Sequence, residues 1–153
     1  MTSHARDIEN LLDRTALQDL LVFLVACLDA KDFEAMAKVY TADAILCTPD
    51  GQVTGASEII DVARRNHEQF AATQHFVSGI TCVPTGADAT VTADVLAVFV
   101  IGHDASSAHR MLGSRYNVRA ERTDHGWRYV EHTITPVWSH ATQEAAARAV
   151  PGS

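Results

Sequence analysis

The sequence is short of basic residues, and above all of lysine. Of its 153 residues, 12 are Lys or Arg and 19 are Asp or Glu, which gives a net charge of −7 at pH 7. The only lysines are Lys31 and Lys38. Because nucleic-acid binding needs a stripe or patch of cations to neutralise phosphates, we expect no nucleic-acid partner.

Cysteines are also scarce, and no apolar run is long. The chain has three cysteines, Cys27, Cys47 and Cys82. Because the number is odd and no two form a Cys-x-x-Cys motif, we expect free thiols in a reducing compartment. The longest apolar run covers residues 20–28, which is too short to cross a bilayer. The N-terminus has no signal-peptide pattern. We therefore predict a cytoplasmic protein that does not enter the membrane.

The composition, 47% apolar and 20% charged, is that of an ordinary globular domain. We predict a single domain over residues 1–153, with a possible C-terminal helix and tail at 140–153. Apolar residues three and four positions apart predict helices in the first half of the chain. These are a short leading helix within 1–12, a helix over 14–30 with Asp13 as its N-cap, a shorter helix over 33–40, and one that opens at 55–57.

From residue 73 onward the apolar residues recur at every second position. This period predicts strands at about 73–84, 89–103, 109–122 and 126–137, after a small hairpin at 44–54. Helices followed by a long antiparallel meander indicate the α+β class. Because strands of this length must twist and bend, we predict a cone-like α+β barrel. In it, three to four N-terminal helices cover the concave face of a strongly bent, mostly antiparallel sheet and enclose a pocket.

Two titratable residues stand in apolar surroundings, His75 in a predicted strand and Asp29 at the end of the helix over 14–30. A carboxylate that accepts from one imidazole nitrogen fixes the tautomer and stabilises the imidazolium. Such a histidine can transfer protons near neutral pH. The plainer interpretation is a packing histidine and a capping aspartate. A helix C-terminus disfavours an anion, however, which favours a functional Asp29.

Several segments resemble the SnoaL-like branch of the nuclear-transport-factor-2-like superfamily. The matching segments are ALQDL at 16–20, LDAKDF at 28–33, YTAD at 40–43, Gly55, TQHF at 73–76 and GWRY at 126–129. The resemblance covers about residues 10 to 138 and implies the same cone-like fold. It does not select an activity, because the superfamily hosts many reactions as well as non-catalytic binders.

Within that branch, the site residues resemble those of scytalone dehydratase and hexachlorocyclohexane dehydrochlorinase, two cofactor-free lyases with a His and Asp pair. The resemblance implies that His75 is the general base, that Asp29 orients it, and that Arg128 receives the leaving group. The match is incomplete. The positions of two substrate-holding tyrosines of scytalone dehydratase are Leu28 and Thr48 here, and its second histidine has no counterpart.

The remaining candidate site residues come from strand alternation and from the apolar stripes. Alternation puts Arg128, Val130 and His132 on one face, so if one of them enters the pocket, the others should line it too. Tyr116 could donate to a substrate oxygen. The residues expected to bind substrate are Arg128, His132, Tyr116, Thr48, Leu24, Leu28, Phe70, Phe76 and Phe99.

Metal and cofactor sites are not expected. The sequence holds no cofactor fingerprint. His67 is interpreted as a packing residue, and His103 and His109 as residues of the pocket mouth or solvent. No two of these ligands share a strand face at metal-ligand spacing.

The function expected from these features is that of a cofactor-free lyase, dehydratase-like, or of an isomerase or cyclase. Its substrate would be small, largely apolar, and cyclic or polyketide-like. The alternative is a non-catalytic small-ligand-binding or accessory domain. The resemblance further implies a homodimer or a homotrimer, and the sequence does not choose between them.

Overall fold

A long helix opens the chain, and a sheet of long strands completes it. The computed structural model describes residues 3–102, 108–143 and 145. Its elements are, in order, α1 (Ser3–Ala30), a 3-10 helix (Glu34–Lys38), β1 (Tyr40–Thr48), β2 (Gly51–Thr54), α2 (Ala56–His67), β3 (Ala72–Thr85), β4 (Asp88–Ile101), β5 (Ala108–Thr123) and β6 (Gly126–Ala141).

Helix α1 is continuous, whereas the sequence predicted a short leading helix and a second one capped by Asp13. No proline or glycine interrupts its 28 residues. Asp13 is 6% exposed, and its carboxylate accepts hydrogen bonds from Arg122 and Trp127 of the sheet. Asp13 is therefore a helix-interior residue with tertiary partners and not an N-cap. Within the described residues, no helix is long and apolar enough to cross a membrane.

The expected number of helices is also wrong. Residues 33–40, predicted as a short helix, form the 3-10 helix and the start of β1. The described residues thus contain two α-helices where three to four were expected. The predicted C-terminal helix cannot begin at 140, because residues 140 and 141 belong to β6. Positions 144 and 146–153 lie outside the described residues.

The six strands form one open sheet in the order β2-β1-β6-β5-β4-β3. Neighbouring strands are antiparallel except β1 and β6, which run parallel. The predicted hairpin and the four predicted long strands are confirmed. The closed barrel is not, because β2 and β3 remain the two edges of the described sheet. Helix α1 packs beside the edge strand β3, and α2 packs beside β1.

Breaks in register bend the long strands. In β3 the break falls between Ser78 and Thr81. In β6, Val130 and Val137 are each an extra residue opposite β5. A β-bulge of this kind bends its strand, increases the local twist and changes which residues face inward.

The apolar core lies between the sheet and α1. The stripe predicted on this helix is confirmed, because Leu17, Leu21, Leu24 and Leu28 are buried and Leu20 packs against them. The sheet contributes alternate residues of its central strands. These include Val91, Ala93, Val95, Tyr116, Val118, Ala120, Trp127 and Tyr129.

Candidate active site

Asp29 lies in the last turn of α1 and accepts three hydrogen bonds from β3. The hydroxyl of Thr73 donates to Oδ1 at 3.0 Å, and the backbone N–H of His75 donates to Oδ2 at 2.9 Å. The third donor is the imidazole of His75, whose Nδ1 is 2.6 Å from Oδ1. Because α1 packs beside edge strand β3, the helix delivers this carboxylate directly to the histidine.

The imidazole of His75 is held in one tautomer by this contact. A carboxylate can only accept, so Nδ1 of His75 carries a proton and donates it to Asp29. The His75 side chain is 2% exposed and that of Asp29 is 27% exposed. Nε2 has no hydrogen-bond partner in the described part of the chain, and His75 lines a pocket. Asp29 therefore fixes the orientation of the ring and leaves Nε2 without a partner among the described residues at the wall of the pocket.

The pocket consists of two adjoining chambers on the inner side of the sheet. The outer chamber has a volume of about 340 Å³, and the inner one about 70 Å³. Both are lined by Thr48, Asn66, His67, Tyr116 and Ile134. The outer chamber adds His75 and Phe99, and the inner one adds Leu24, Leu28, Tyr40 and His132.

The inner chamber ends in a buried polar cluster. The hydroxyl of Tyr40 and Nδ1 of His132 are 2.9 Å apart, while Nε2 of His132 has no partner among the described residues. Burial lowers the pKa of His132 to about 3, so this ring is neutral near pH 7. Burial first, and then the charge of Asp29, raise the pKa of Tyr116 to about 12. Tyr116 is therefore a protonated donor.

Seven of the predicted substrate-binding and catalytic residues line these chambers. They are His75, Thr48, Tyr116, His132, Leu24, Leu28 and Phe99. Asp29 stands behind His75, and Phe70 packs on Phe99 with ring centroids 4.9 Å apart.

Phe76 and Arg128 are not brought to the pocket. Phe76 is 50% exposed and lines a groove on the other sheet face with Trp138, because successive strand residues point to opposite faces. Arg128 lies outside because Val130 is a bulge. The bulge puts Trp127 and Tyr129 on the inner face with His132, and their neighbour Arg128 on the outer one.

His67, predicted to be a packing residue, lines both chambers. Its ring stacks on that of His75, with centroids 5.5 Å apart. The sequence signal was its place at the end of the α2 stripe, after Ile59 and Ala63. That pattern marks the residue as inward-facing but does not say which side chain it meets.

A metal centre is not found among the described residues, where no three His, Cys, Asp or Glu side chains could hold an ion together. His109 lies in β5, where its backbone pairs with Thr142. His103 falls outside the described residues.

Several solved structures share the fold of this chain. A hexachlorocyclohexane dehydrochlorinase from Novosphingobium barchaimii LL02 has a TM-score of 0.78 and 16% identity over 90% of this chain and 94% of that one. A protein named as a candidate scytalone dehydratase from Novosphingobium aromaticivorans DSM 12444 has a TM-score of 0.77 and 18% identity. The match covers 85% of this chain and 87% of that one. A nuclear-transport-factor-2-like protein from Salmonella enterica has a TM-score of 0.74 and 13% identity. The match covers 82% of this chain and 91% of that one.

At these identities the structural likeness shows the fold, and no curated protein sequence matches the chain. The family assignment comes from the sequence itself. The family model of the SnoaL-like domain matches residues 9–133, most of the chain and close to the range expected from the resemblance. The chain belongs to the SnoaL-like domain family.

Proposed function

We propose that this chain is a cofactor-free lyase that catalyses an elimination, with dehydration as the preferred reaction. Isomerisation or cyclisation would use the same proton transfer. The observation that carries the proposal is the Asp29–His75 hydrogen bond at the wall of the outer chamber. It supports a base whose tautomer is fixed and whose Nε2 is free for a substrate carbon acid.

The proposed step begins at Nε2 of His75, which removes a proton from a carbon next to a carbonyl. The ring becomes an imidazolium, and the adjacent carboxylate of Asp29 stabilises its charge. The imidazolium then returns the proton to the oxygen that leaves from the neighbouring carbon. One side chain thus acts first as base and then as acid, and no cofactor takes part.

The inner chamber supports stabilisation of the enolate oxygen. If the Tyr40 hydroxyl donates to Nδ1 of His132, only Nε2 of His132 in this pair lacks a partner among the described residues. If Nδ1 donates to Tyr40 instead, both Nε2 and the Tyr40 hydroxyl hydrogen lack one. The first arrangement leaves an N–H on Nε2 of His132. Together with the hydroxyl of Tyr116, whose ring is 4.7 Å from that of His132, it offers two donors to a developing anion. Arg128, on the other sheet face, takes no part.

The proposed substrate is small, largely apolar, and cyclic or polyketide-like. The chamber volumes suit a ligand of one or two rings, and most of the lining side chains are apolar. The names of two structurally similar proteins, a dehydrochlorinase and a candidate scytalone dehydratase, denote eliminations. That agreement favours a lyase among the reactions this fold hosts.

A thermal-shift screen of hydroxyketones and aromatic polyketides, followed by turnover assays of the stabilising compounds, tests the proposal. Replacing His75 by Ala should lower kcat/KM by roughly 10²- to 10⁴-fold, because the general base is lost. The melting temperature should change little. The matched control is His125→Ala, since His125 is an exposed turn residue outside the pocket.

Two results contradict the proposal. One is a His75→Ala protein that turns over substrate like the wild type but melts much lower, which makes His75 a structural residue. The other is a ligand that binds tightly in the chambers and is never converted. That result favours the non-catalytic binding domain.

A further inference from the structure

His67 presents a second imidazole acceptor to the pocket. Its Nδ1 is 2.8 Å from the carbonyl oxygen of Ala63, one turn earlier in α2. A carbonyl can only accept, so Nδ1 carries the proton and Nε2 keeps a lone pair. Nε2 has no hydrogen-bond partner among the described residues. This tautomer is fixed by the backbone and owes nothing to Asp29.

The ring of His67 stands beside the proposed base. It stacks on His75 with an interplanar angle of 29° and packs against Phe99 at 5.6 Å between centroids. It lines both chambers, so a substrate that reaches from His75 towards Tyr116 passes next to it. A substituent near the reacting carbon therefore lies within reach of both imidazoles.

Burial keeps the acceptor neutral. It lowers the pKa of His67, as do the charges of His75 and Lys31, while the Ala63 carbonyl and the charge of Asp29 partly oppose the shift. When His75 becomes an imidazolium, a second proton on His67 is disfavoured still more. His67 thus accepts a hydrogen bond throughout the reaction and does not donate one from Nε2.

We propose that Nε2 of His67 accepts the hydrogen bond of the substrate's leaving hydroxyl, and so makes this site selective for dehydration over loss of a halide. The inference rests on the proposed function. A hydroxyl that donates its hydrogen to His67 still has oxygen lone pairs, which can accept the proton that His75 carries. A halide has no hydrogen to donate and gains nothing from His67.

The step is balanced without a further reactant. The C–H bond breaks at the carbon next to the carbonyl, and His75 receives the proton. The C–O bond of the hydroxyl then breaks, its electron pair leaves with oxygen, and the imidazolium proton forms the second O–H bond of water. The former C–H electrons become the new carbon–carbon double bond, and His75 returns to its starting state.

Nitrogen-15 NMR of histidine-labelled protein tests the tautomer and the contact. The His67 signals are those missing from His67→Gln, and they should show a protonated Nδ1 with an unprotonated Nε2. The probes are 3-hydroxycyclohexanone and 3-fluorocyclohexanone, which share the ring and carbonyl and carry at C3 a group that can or cannot donate a hydrogen bond. Only the hydroxy probe should shift the His67 Nε2 signal. A proton on Nε2, no shift, or equal shifts with both probes overturns the proposal.

A kinetic test uses the same pair, since both probes eliminate to cyclohex-2-enone, which is followed by its ultraviolet absorbance. His67→Phe keeps the ring stack but removes the acceptor. It should slow water loss about tenfold to a hundredfold and leave loss of fluoride within about twofold. His67→Gln, whose amide oxygen can accept, should restore part of the rate. Equal losses on both probes make His67 a packing residue and overturn the proposal.

The two proposals fail separately. His75→Ala should lower kcat/KM by roughly 10²- to 10⁴-fold but keep the His67 shift with the hydroxy probe. If His67→Phe loses water at the wild-type rate while His75→Ala is strongly impaired, only the role of His67 is overturned. A persistent shift alongside a fully active His75→Ala overturns the lyase mechanism instead.

Discussion

The Asp29 carboxylate occupies a position that its own helix disfavours. Negative charge in the last turn of a helix costs about 0.3–1 kcal/mol through the helix dipole. Three hydrogen bonds from Thr73 and His75 offset that cost, since a bond to a charged acceptor contributes about 1.5–3 kcal/mol. The hydrogen bonds from β3 therefore stabilise the Asp29 carboxylate at this position.

Replacing Asp29 by Asn should impair the proposed base, although the amide fills the space of the carboxylate. An amide can turn its NH₂ group towards Nδ1 of His75, which favours the tautomer with the proton on Nε2 and occupies the working nitrogen. We expect kcat/KM to fall by roughly 10²- to 10⁴-fold. Steady-state kinetics on the substrate found by screening measures the fall, and nitrogen-15 NMR of His75 reports the tautomer.

Thr73→Val is the matched control for Asp29→Asn. It removes one hydrogen bond to the same carboxylate but leaves the His75 contacts in place. Its effect on kcat/KM should stay below about tenfold. Equal losses in the two variants would mean that the carboxylate positions β3 and not the imidazole.

At the residue level, the pair could be found from the sequence because each member violates a local rule. Asp29 is an anion at a helix C-terminus, and His75 is a titratable group in an apolar strand. His67 is also a titratable residue on an apolar stripe, but it lies in the last turn of α2, where a histidine is favourable. Its contact with His75 depends on how α2 sits against the sheet, which local patterns do not encode.

Among the elements, β6 shows where alternation fails as a guide. A single extra residue at Val130 changes the face of every residue on one side of it. His132 therefore lies in the core while Arg128 faces outward, although strict alternation groups them together. The bulge has no glycine or proline to mark it in the sequence.

Helix α1 is tied to the sheet by Asp13, and the substitution Asp13→Ser tests whether its contacts with Arg122 and Trp127 stabilise the fold. Serine is as good an N-cap as aspartate but cannot reach Arg122 and Trp127 with two acceptor oxygens. Because the buried Trp127 N–H loses its acceptor, we expect the free energy of unfolding to fall by about 1–3 kcal/mol. Urea unfolding followed by circular dichroism measures it.

Asp19→Ser serves as the control, since Asp19 is exposed on the same helix. Its effect should be within about 0.5 kcal/mol. If Asp13→Ser is equally neutral, the contacts of Asp13 with Arg122 and Trp127 contribute nothing to stability.

The whole molecule places a titratable ring in its centre. His132 is 2% exposed and is surrounded by the rings of Tyr40, Tyr116 and Tyr129. These hydroxyls do not ionise near neutral pH, and burial raises the pKa of each tyrosine further above its usual value. His132 is therefore the group in this cluster that titrates between neutral and acidic pH when the chain unfolds.

Stability should consequently fall in acid. The pKa of His132 is about 3 in the folded chain and near 6.5 in the unfolded chain, so between these values the unfolded chain binds the extra proton. Stability then rises with pH across that window and is lost as the pH falls below about 6.5, by up to about 1.4 kcal/mol per pH unit. Burial of His67 acts in the same direction.

Urea unfolding between about pH 7 and pH 5 measures this dependence. His132→Gln should have a flatter pH profile than the wild type, whatever its stability at pH 7, because it removes the titrating group. His125→Gln, in an exposed turn, should keep the wild-type slope. Parallel profiles for His132→Gln and the wild type would contradict the assignment.

The sequence by itself determined the local elements and singled out Asp29 and His75. The stripe of α1, the hairpin and the four long strands follow from short-range periodicity, and Asp29 and His75 stand out against it. The tertiary structure decided the rest. It made α1 continuous, kept the sheet open, turned Arg128 outward at a bulge and brought His67 beside His75. Each of these depends on contacts between residues far apart in the chain, whose energies no local pattern contains.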